Sequence, residues 1–329
     1  DSCGDTGRIC PRSSVLILPV SPPLSKVDTI DFILVKPPRT KASYTGRIRT
    51  DERGQILANS DYWRSLISLW DDGEQKAIWE DMLRYRDGKN RNFGNTFFQF
   101  MAEKVNGLSN VGELFKKLTM ANIVGEVIPV ALKPAEICFK TISGKQYKGE
   151  RYLDELRMSK DYVVDLWLDP LVEANPRAIE AIDGADLIIV CPGSVHGSLL
   201  TNFLAKGVTK AFAKSRAKKL LMVNIMASGN EGAITNQNDY TKLFEKYLKS
   251  KLDLVLMADL TRLEEEKMNR ILKYYNMENS TKIEYKKCSD CPTEVADIVT
   301  IDEVNWRLRH SKDKLAKYFV KMDLCRRKD

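Results

Sequence analysis

The densest chemistry in the sequence sits where an apolar run ends. Ala185-Asp186-Leu187-Ile188-Ile189-Val190-Cys191-Pro192-Gly193-Ser194 reads as a buried strand entering a Pro-Gly-Ser turn, with a helix over residues 197–204. In open parallel sheets, ligands bind beyond the carboxyl ends of strands, where helix N-termini offer N–H groups to phosphate. Gly193 lets backbone approach an anion, and Ser194 or Ser198 adds a hydroxyl; the same residues also suit a plain tight turn. His196, one of two histidines, could touch the phosphate or carry a proton, or simply face solvent. A second strand, Leu221-Met222-Val223-Asn224, brings a polar residue to its carboxyl end. The loop beyond it, Met226-Ala227-Ser228-Gly229-Asn230-Glu231-Gly232, has the glycines and carboxylate of a loop that closes over a ligand, or of any surface loop.

Three further segments carry possible chemistry. In Asn92-Phe93-Gly94-Asn95-Thr96, Gly94 permits close approach and Asn95 offers both a donor and an acceptor to a base or sugar edge; the alternative is a helix N-cap. Asp1-Ser2-Cys3-Gly4-Asp5-Thr6-Gly7-Arg8-Ile9 combines carboxylates at Asp1 and Asp5, suited to a cation, with Thr6, Gly7 and Arg8, suited to a phosphate. Ser43-Tyr44-Thr45-Gly46-Arg47-Ile48-Arg49 repeats the Thr-Gly-Arg-Ile core without the acids, and either copy could be only a turn. Cys288-Ser289-Asp290-Cys291 has metal-ligand spacing, but Cys3 and Cys10 at the other end make a poor second pair for zinc, so these read as incidental thiols. The run Lys206, Lys210, Lys214, Arg216, Lys218 and Lys219 reads as a solvated face, since no aromatics interleave as in a nucleic-acid groove. His310 reads as structural.

The elements that must position these residues alternate in type. Strands are predicted over 15–18, 30–35, 124–132, 137–141, 163–168, 185–191, 220–225 and 252–257. Amphipathic helices are predicted over 61–86 (one or two), 93–105, 111–120, 263–275 and 312–322, with a shorter one opened by Asn175-Pro176. Ser143-Gly144-Lys145 punctuates a hairpin whose return is 146–151. The alternation implies parallel strands joined by crossover helices. The expected architecture is therefore an α/β, Rossmann-like, doubly wound and mostly parallel sheet with a small β-hairpin insertion at about 134–152.

Composition supports that class. At 329 residues, 43% hydrophobic and 29% charged, the chain can bury a core and is not disordered. A balance of 52 basic to 45 acidic residues, net +7, is below that of a dedicated nucleic-acid binder, so no nucleic-acid partner is expected. No run approaches the ~18 apolar residues of a bilayer span, so no membrane insertion is expected. Seven cysteines form no disulfide scaffold, and with no signal segment evident the expected setting is cytoplasmic, with thiols reduced. One domain over 1–329 is expected, its first 60 residues divergent or incomplete, given a start at Asp1. A homodimer is left open.

These segments resemble the YvcK/CofD-like family, which includes YvcK-type proteins and 2-phospho-L-lactate transferases. The family's Gly-Pro-Gly-Ser loop looks like Cys191-Pro192-Gly193-Ser194, with Cys in place of the first glycine. Its Phe-Gly-Asn is matched by Phe93-Gly94-Asn95 and its Asn-x-Met by Asn224-Ile225-Met226. Arg309-His310 followed by Lys314-Leu315-Ala316 is similar to its C-terminal helix entry. The resemblance covers residues 60–322 and is most specific over 185–235. The family's glycine-rich loop after the first strand is replaced here by the prolines of 19–23, and either Thr-Gly-Arg-Ile copy could stand for its next motif. For the YvcK branch the resemblance implies a nucleotide-sugar-binding (UDP-N-acetylglucosamine-like) regulator of carbon use and cell-wall synthesis. Gly193 and Ser194 would then hold the diphosphate, with Asn95, Asn224 and Glu231 on base or sugar. For the transferase branch it implies Mg²⁺-assisted transfer of a phospholactyl group to a deazaflavin, with Asp1 and Asp5 on the metal. The central loop, Pro-Gly-Ser-Val-His here, favours the YvcK side.

Overall fold

The computed structural model describes residues 59–322 apart from 72, 90, 124, 157–158, 233 and 288–290, together with the backbone of 15–18 and 32–35. Strands β1 (Val15–Leu18) and β2 (Phe32–Val35) precede helices α1 (Asn59–Ser68), α2 (Glu74–Arg84), α3 (Phe93–Lys104) and α4 (Val111–Thr119). Then come β3 (Glu126–Pro129), β4 (Glu136–Thr141), β5 (Gln146–Lys148), α5 (Arg151–Glu155), β6 (Val163–Asp169) and α6 (Pro176–Asp183). The next stretch runs β7 (Leu187–Val190), α7 (Val208–Lys214), β8 (Lys218–Met222), β9 (Met226–Ser228), α8 (Gln237–Leu248) and β10 (Leu254–Ala258). The chain continues through α9 (Glu265–Met277), β11 (Ser280–Lys282), β12 (Thr293–Ala296), β13 (Val299–Asp302), β14 (Arg307–His310) and α10 (Lys312–Lys321).

The main sheet has seven strands in the order β12-β10-β8-β7-β1-β2-β3. Six point the same way; β1 alone is reversed, with Leu16 opposite Ile189 of β7 and Ile33 of β2. The mostly parallel, doubly wound sheet expected from the sequence is thus present, but its first two strands are antiparallel. The physical reason lies in residues 19–31. A parallel pair needs a crossover, usually helical, and that proline-bearing segment has no helical period.

Side chains of the central strands alternate between two dry faces. Leu187, Ile189, Leu220, Met222 and Leu256 meet Leu315, Tyr318 and Phe319 of α10. Ile188, Val190, Leu221 and Val255 pack with Ile182, Phe212, Tyr240 and Phe244 of α6, α7 and α8. Burial on both faces is why these strands read as continuous apolar runs. The hairpin of β4 and β5 forms, but its return stops at Lys148, residues 151–155 are helical, and β6 pairs along the far side of β4.

Helices α1–α4 make a separate aromatic-rich layer around Tyr62, Trp63, Leu66, Phe98 and Phe115, joined to the sheet through Val127. Asn92 caps α3: its Oδ1 accepts from Asn95 N at 2.9 Å, and its Nδ2 donates to Leu83 O at 2.9 Å. Gly94 fits because a Cβ there would lie 2.6 Å from Leu83 O and 3.0 Å from the Trp63 ring. Both histidines are held in dry surroundings. Burial lowers each to about 4, assisted at His196 by the charge of Lys246.

Two predictions follow from this packing. Gly94→Ala must displace the end of α2 or the Trp63 ring, so it should destabilise by about 1–3 kcal/mol in urea unfolding; an unchanged midpoint would contradict the close approach. Because the unfolded chain protonates its histidines near pH 6.5 and the folded chain only near 4, stability should fall as pH drops across that window. The slope is about 1.4 kcal/mol per pH unit per histidine. Urea unfolding from pH 7 to pH 4 should show a shallower fall in His196→Gln; a slope unchanged in the variant would show that His196 titrates normally.

Candidate functional site

The carboxyl ends of β7 and β8 lie side by side, with Val190 opposite Leu221. On its other flank β7 meets the reversed strand β1; β8, β10 and β12 continue to one side, β2 and β3 to the other. A crevice at such a reversal of strand order is where open α/β sheets bind ligands.

Two residues past β8, the Asn224 side chain crosses to the Pro-Gly-Ser turn. Its Oδ1 accepts from Gly193 N at 2.7 Å and its Nδ2 donates to Gly193 O at 2.7 Å. One carboxamide thus satisfies both backbone groups of one glycine, as a neighbouring strand would. Glu231 makes a second tie: its buried carboxylate accepts from Val195 N at 3.3 Å and from Ser228 N at 2.9 Å. Asn230 makes a third, donating to Leu153 O of α5 at 2.7 Å. Below, the hydroxyl of Tyr240 sits against the Asn224 backbone, and burial, reinforced by the Glu231 charge, pushes its pKa well up.

The turn itself departs from the helix expected over 197–204. Residues Val195–Leu199 form a single wide π turn, and Leu200–Phe203 a 3₁₀ turn. The cause is Ser194: its Oγ accepts from Gly197 N at 3.3 Å, while Ser198 N and Leu199 N both donate to its carbonyl at 3.0 Å. A Cβ at Gly197 would lie 2.9 Å from Ser194 Oγ and 3.3 Å from Glu150 Oε1. That crowding brings a carboxylate from the start of α5 to the same turn. At Gly232, φ is +86° and a Cβ would come within 3.0 Å of the Tyr162 ring, so the loop closes flat against that tyrosine.

The structure therefore brings together Gly193, Ser194, His196, Ser198, Asn224 and Glu231, but assigns their polar groups differently from the sequence reading. The N–H of Gly193, expected to meet a phosphate, is given to Asn224, and that of Val195 to Glu231. Ser194 is exposed and Ser198 is half-buried. His196 is turned into the core, not toward solvent, and its carbonyl accepts from Thr201 Oγ1 at 2.8 Å. Met226 opens β9 and packs with the cluster of Ile271, Tyr275 and Leu308. Gly94 and Asn95 belong to the helical layer, where Asn95 Oδ1 accepts from Trp63 Nε1 at 3.0 Å. Asp1, Asp5, Thr6, Gly7 and Arg8, and the second Thr-Gly-Arg-Ile copy, lie outside the described residues. So do 288–290; Cys291 is buried, its thiol donating to Leu252 O at 3.4 Å. Among the described residues no group of three or more His, Cys, Asp or Glu side chains could hold a metal, and no helix is long and apolar enough to cross a membrane. Glu150 and Tyr240 had no signal in the sequence; Asn230 lay within the loop already singled out.

Comparison with known proteins is consistent across sequence and structure. The chain is 24% identical to the gluconeogenesis factor of Bacillus subtilis, over 84% of this chain and 85% of that one. A protein of Aquifex aeolicus, provisionally named a gluconeogenesis factor, is 30% identical over 71% of this chain and 70% of its own. A crystal structure of a UPF0052-family protein from Bacillus halodurans superposes with a TM-score of 0.73 at 19% identity, covering 88% of this chain and 91% of that one. Residues 41–300 match the family described as 2-phospho-L-lactate transferase CofD. The chain belongs to the CofD family, on the YvcK-type branch that holds the gluconeogenesis factors.

Proposed function

We propose that this protein binds a nucleotide sugar of the UDP-N-acetylglucosamine type at the carboxyl edge of its sheet, as a cytoplasmic regulator of carbon metabolism and cell-wall synthesis. The observation that carries this reading is the Asn224–Gly193 tie beside the reversed strand β1. It fixes a turn at the position where such folds take nucleotides, before any ligand arrives. The diphosphate then meets the Ser194 hydroxyl and the amides of the turn that Asn224 and Glu231 do not occupy, with Ser198 beside them. Asn224 retains a second N–H and a second lone pair for a sugar or base edge, Glu231 holds the loop above, and Asn95 and Gly94 act through the packing of the helical layer.

A second reading is Mg²⁺-dependent transfer of a phospholactyl-type group to a deazaflavin acceptor. It is favoured by the transferase description of the matched family, with Asp1 and Asp5 as the proposed carboxylates for the metal. In phosphoryl-type transfer, positioning and charge neutralisation do most of the work, so the lack of a nucleophile–base pair in the cluster is compatible with it. Turnover of a deazaflavin acceptor that Asp5→Asn abolishes would replace the first reading with this one.

Calorimetric titration with UDP-N-acetylglucosamine should give saturable heat. Asn224→Ala, folded by circular dichroism, should bind at least tenfold more weakly, a loss of about 1.4 kcal/mol. No heat at millimolar ligand would contradict the reading.

A further inference from the structure

A second carboxylate, Glu150, lies at the Pro-Gly-Ser turn, brought there by a different segment from Glu231. Glu150 follows Gly149, whose φ of +116° turns the chain from β5 into α5, and its carbonyl accepts from Leu153 N at 2.9 Å. Two contacts hold that segment against the turn. Leu153 O accepts from Asn230 Nδ2 at 2.7 Å, and the Leu153 side chain lies 3.6 Å from where a Cβ of Gly197 would be. The same Cβ position is 2.9 Å from Ser194 Oγ and 3.3 Å from Glu150 Oε1. The bare glycine at 197 is what lets the hydroxyl and the carboxylate approach one point of the turn. Ser194 is exposed and Glu150 half-buried, so solvent reaches both residues.

The two glutamates are placed for different work. Both oxygens of Glu231 accept backbone amides, from Val195 at 3.3 Å and Ser228 at 2.9 Å, in a buried position. Glu150 stands instead beside the hydroxyl of an exposed serine. A carboxylate offers about four acceptor sites and no donor, so it can take a ligand O–H whatever it accepts within the turn. The cations on either side of it along the chain face other partners: Lys148 is 2.5 Å from Asp169, and Arg151 is 3.1 Å from Glu155 and lies over the Tyr152 ring. We infer that Glu150 is a specificity-determining residue of the nucleotide-sugar site. It accepts from a hydroxyl of the sugar joined to the diphosphate and disfavours a nucleotide that ends in a free phosphate. This rests on the reading that the diphosphate meets Ser194. A base edge presents donors and acceptors together, which suits the Asn224 carboxamide, whereas a sugar hydroxyl gives its proton to a carboxylate in a charge-assisted hydrogen bond. A terminal phosphate approaches two negative charges at pH 7, and against Ser194 it meets the like charge of Glu150 at close range. A sugar ester at the same place removes one of those charges and supplies the donor.

Calorimetric titration of the full chain with UDP-N-acetylglucosamine and with UDP tests this. The wild type should bind the sugar nucleotide about tenfold or more tightly than UDP. In Glu150→Gln, which keeps the shape and removes the charge, that preference should fall to about threefold or less, through weaker binding of the sugar nucleotide and tighter binding of UDP. Glu150→Asp, which keeps the charge and shortens the reach, should lose affinity for the sugar nucleotide and still bind UDP poorly. A wild type that binds both ligands alike, or a preference unchanged in Glu150→Gln, would overturn the inference and leave the nucleotide-sugar reading standing. Equal weakening of both ligands would also overturn it, since shaping the turn or holding the ribose moves both alike. If Glu150→Gln does not fold, Glu150→Asp decides alone, and an undiminished affinity for the sugar nucleotide overturns the inference. A wild type that gives no heat with either ligand would overturn both the inference and the reading beneath it.

Discussion

The carboxyl edge of this sheet depends on one carboxamide. Asn224 answers both backbone groups of Gly193 across the gap between two parallel strands, with two hydrogen bonds of 2.7 Å. Each contributes only about 1 kcal/mol net, but removing the partner would strand a half-buried N–H and carbonyl at about 1–3 kcal/mol each. The neighbouring contacts build on that geometry. With Gly193 held, Val195 N is presented to Glu231, and Ser194 can cap the wide turn that follows. Asn230 then ties the same loop to α5. The three side chains come from one segment, 224–231, so the loop beyond β8 dictates the shape of the turn beyond β7.

What places that knot is the architecture of the sheet. Alternate residues of β7, β8 and β10 feed two separate apolar layers, so these strands are sealed on both faces and their ends are fixed. The reversed β1 separates the group that continues through β8, β10 and β12 from the pair β2 and β3. The knot stands beside that separation. The helical layer of α1–α4 is a second, self-contained cluster built on aromatic rings, with Trp79 and Phe98 each against Phe115. It takes Gly94 and Asn95 into the capped start of α3, the helix N-terminus that the sequence offered as one of two readings of this segment.

The features of the fold readable from sequence are those governed by local period. The run 187–190 could be nothing but a buried strand, and the helices of residues 59–119 follow from their apolar spacing. Asn92 as a cap followed from its place before an apolar run. What escaped depends on distance along the chain. Nothing near Gly193 shows that a residue 31 positions later will occupy its N–H, so an anion looked like the natural partner. The π turn was invisible because a serine and two glycines suit an ordinary helix start equally well. His196 looked exposed because it lies just past a Pro-Gly-Ser turn and before Gly197 and Ser198, whereas burial comes from the core it is folded into. β12 and the hairpin of β13 and β14 were missed because each strand is only four residues long and mixes polar with apolar side chains, most of them half-buried or exposed.

Asn224 and Glu231 fix the turn, and in the proposed complex the ligand meets the groups they leave over. Amide-resolved NMR during titration with UDP-N-acetylglucosamine tests this directly. The Gly193 and Val195 amides should be protected from exchange before ligand is added and shift little with it, while Ser194, His196 and Ser198 carry the largest shifts. Fast exchange at Gly193 in the free protein, or ligand-induced shifts concentrated away from residues 193–198, would contradict it.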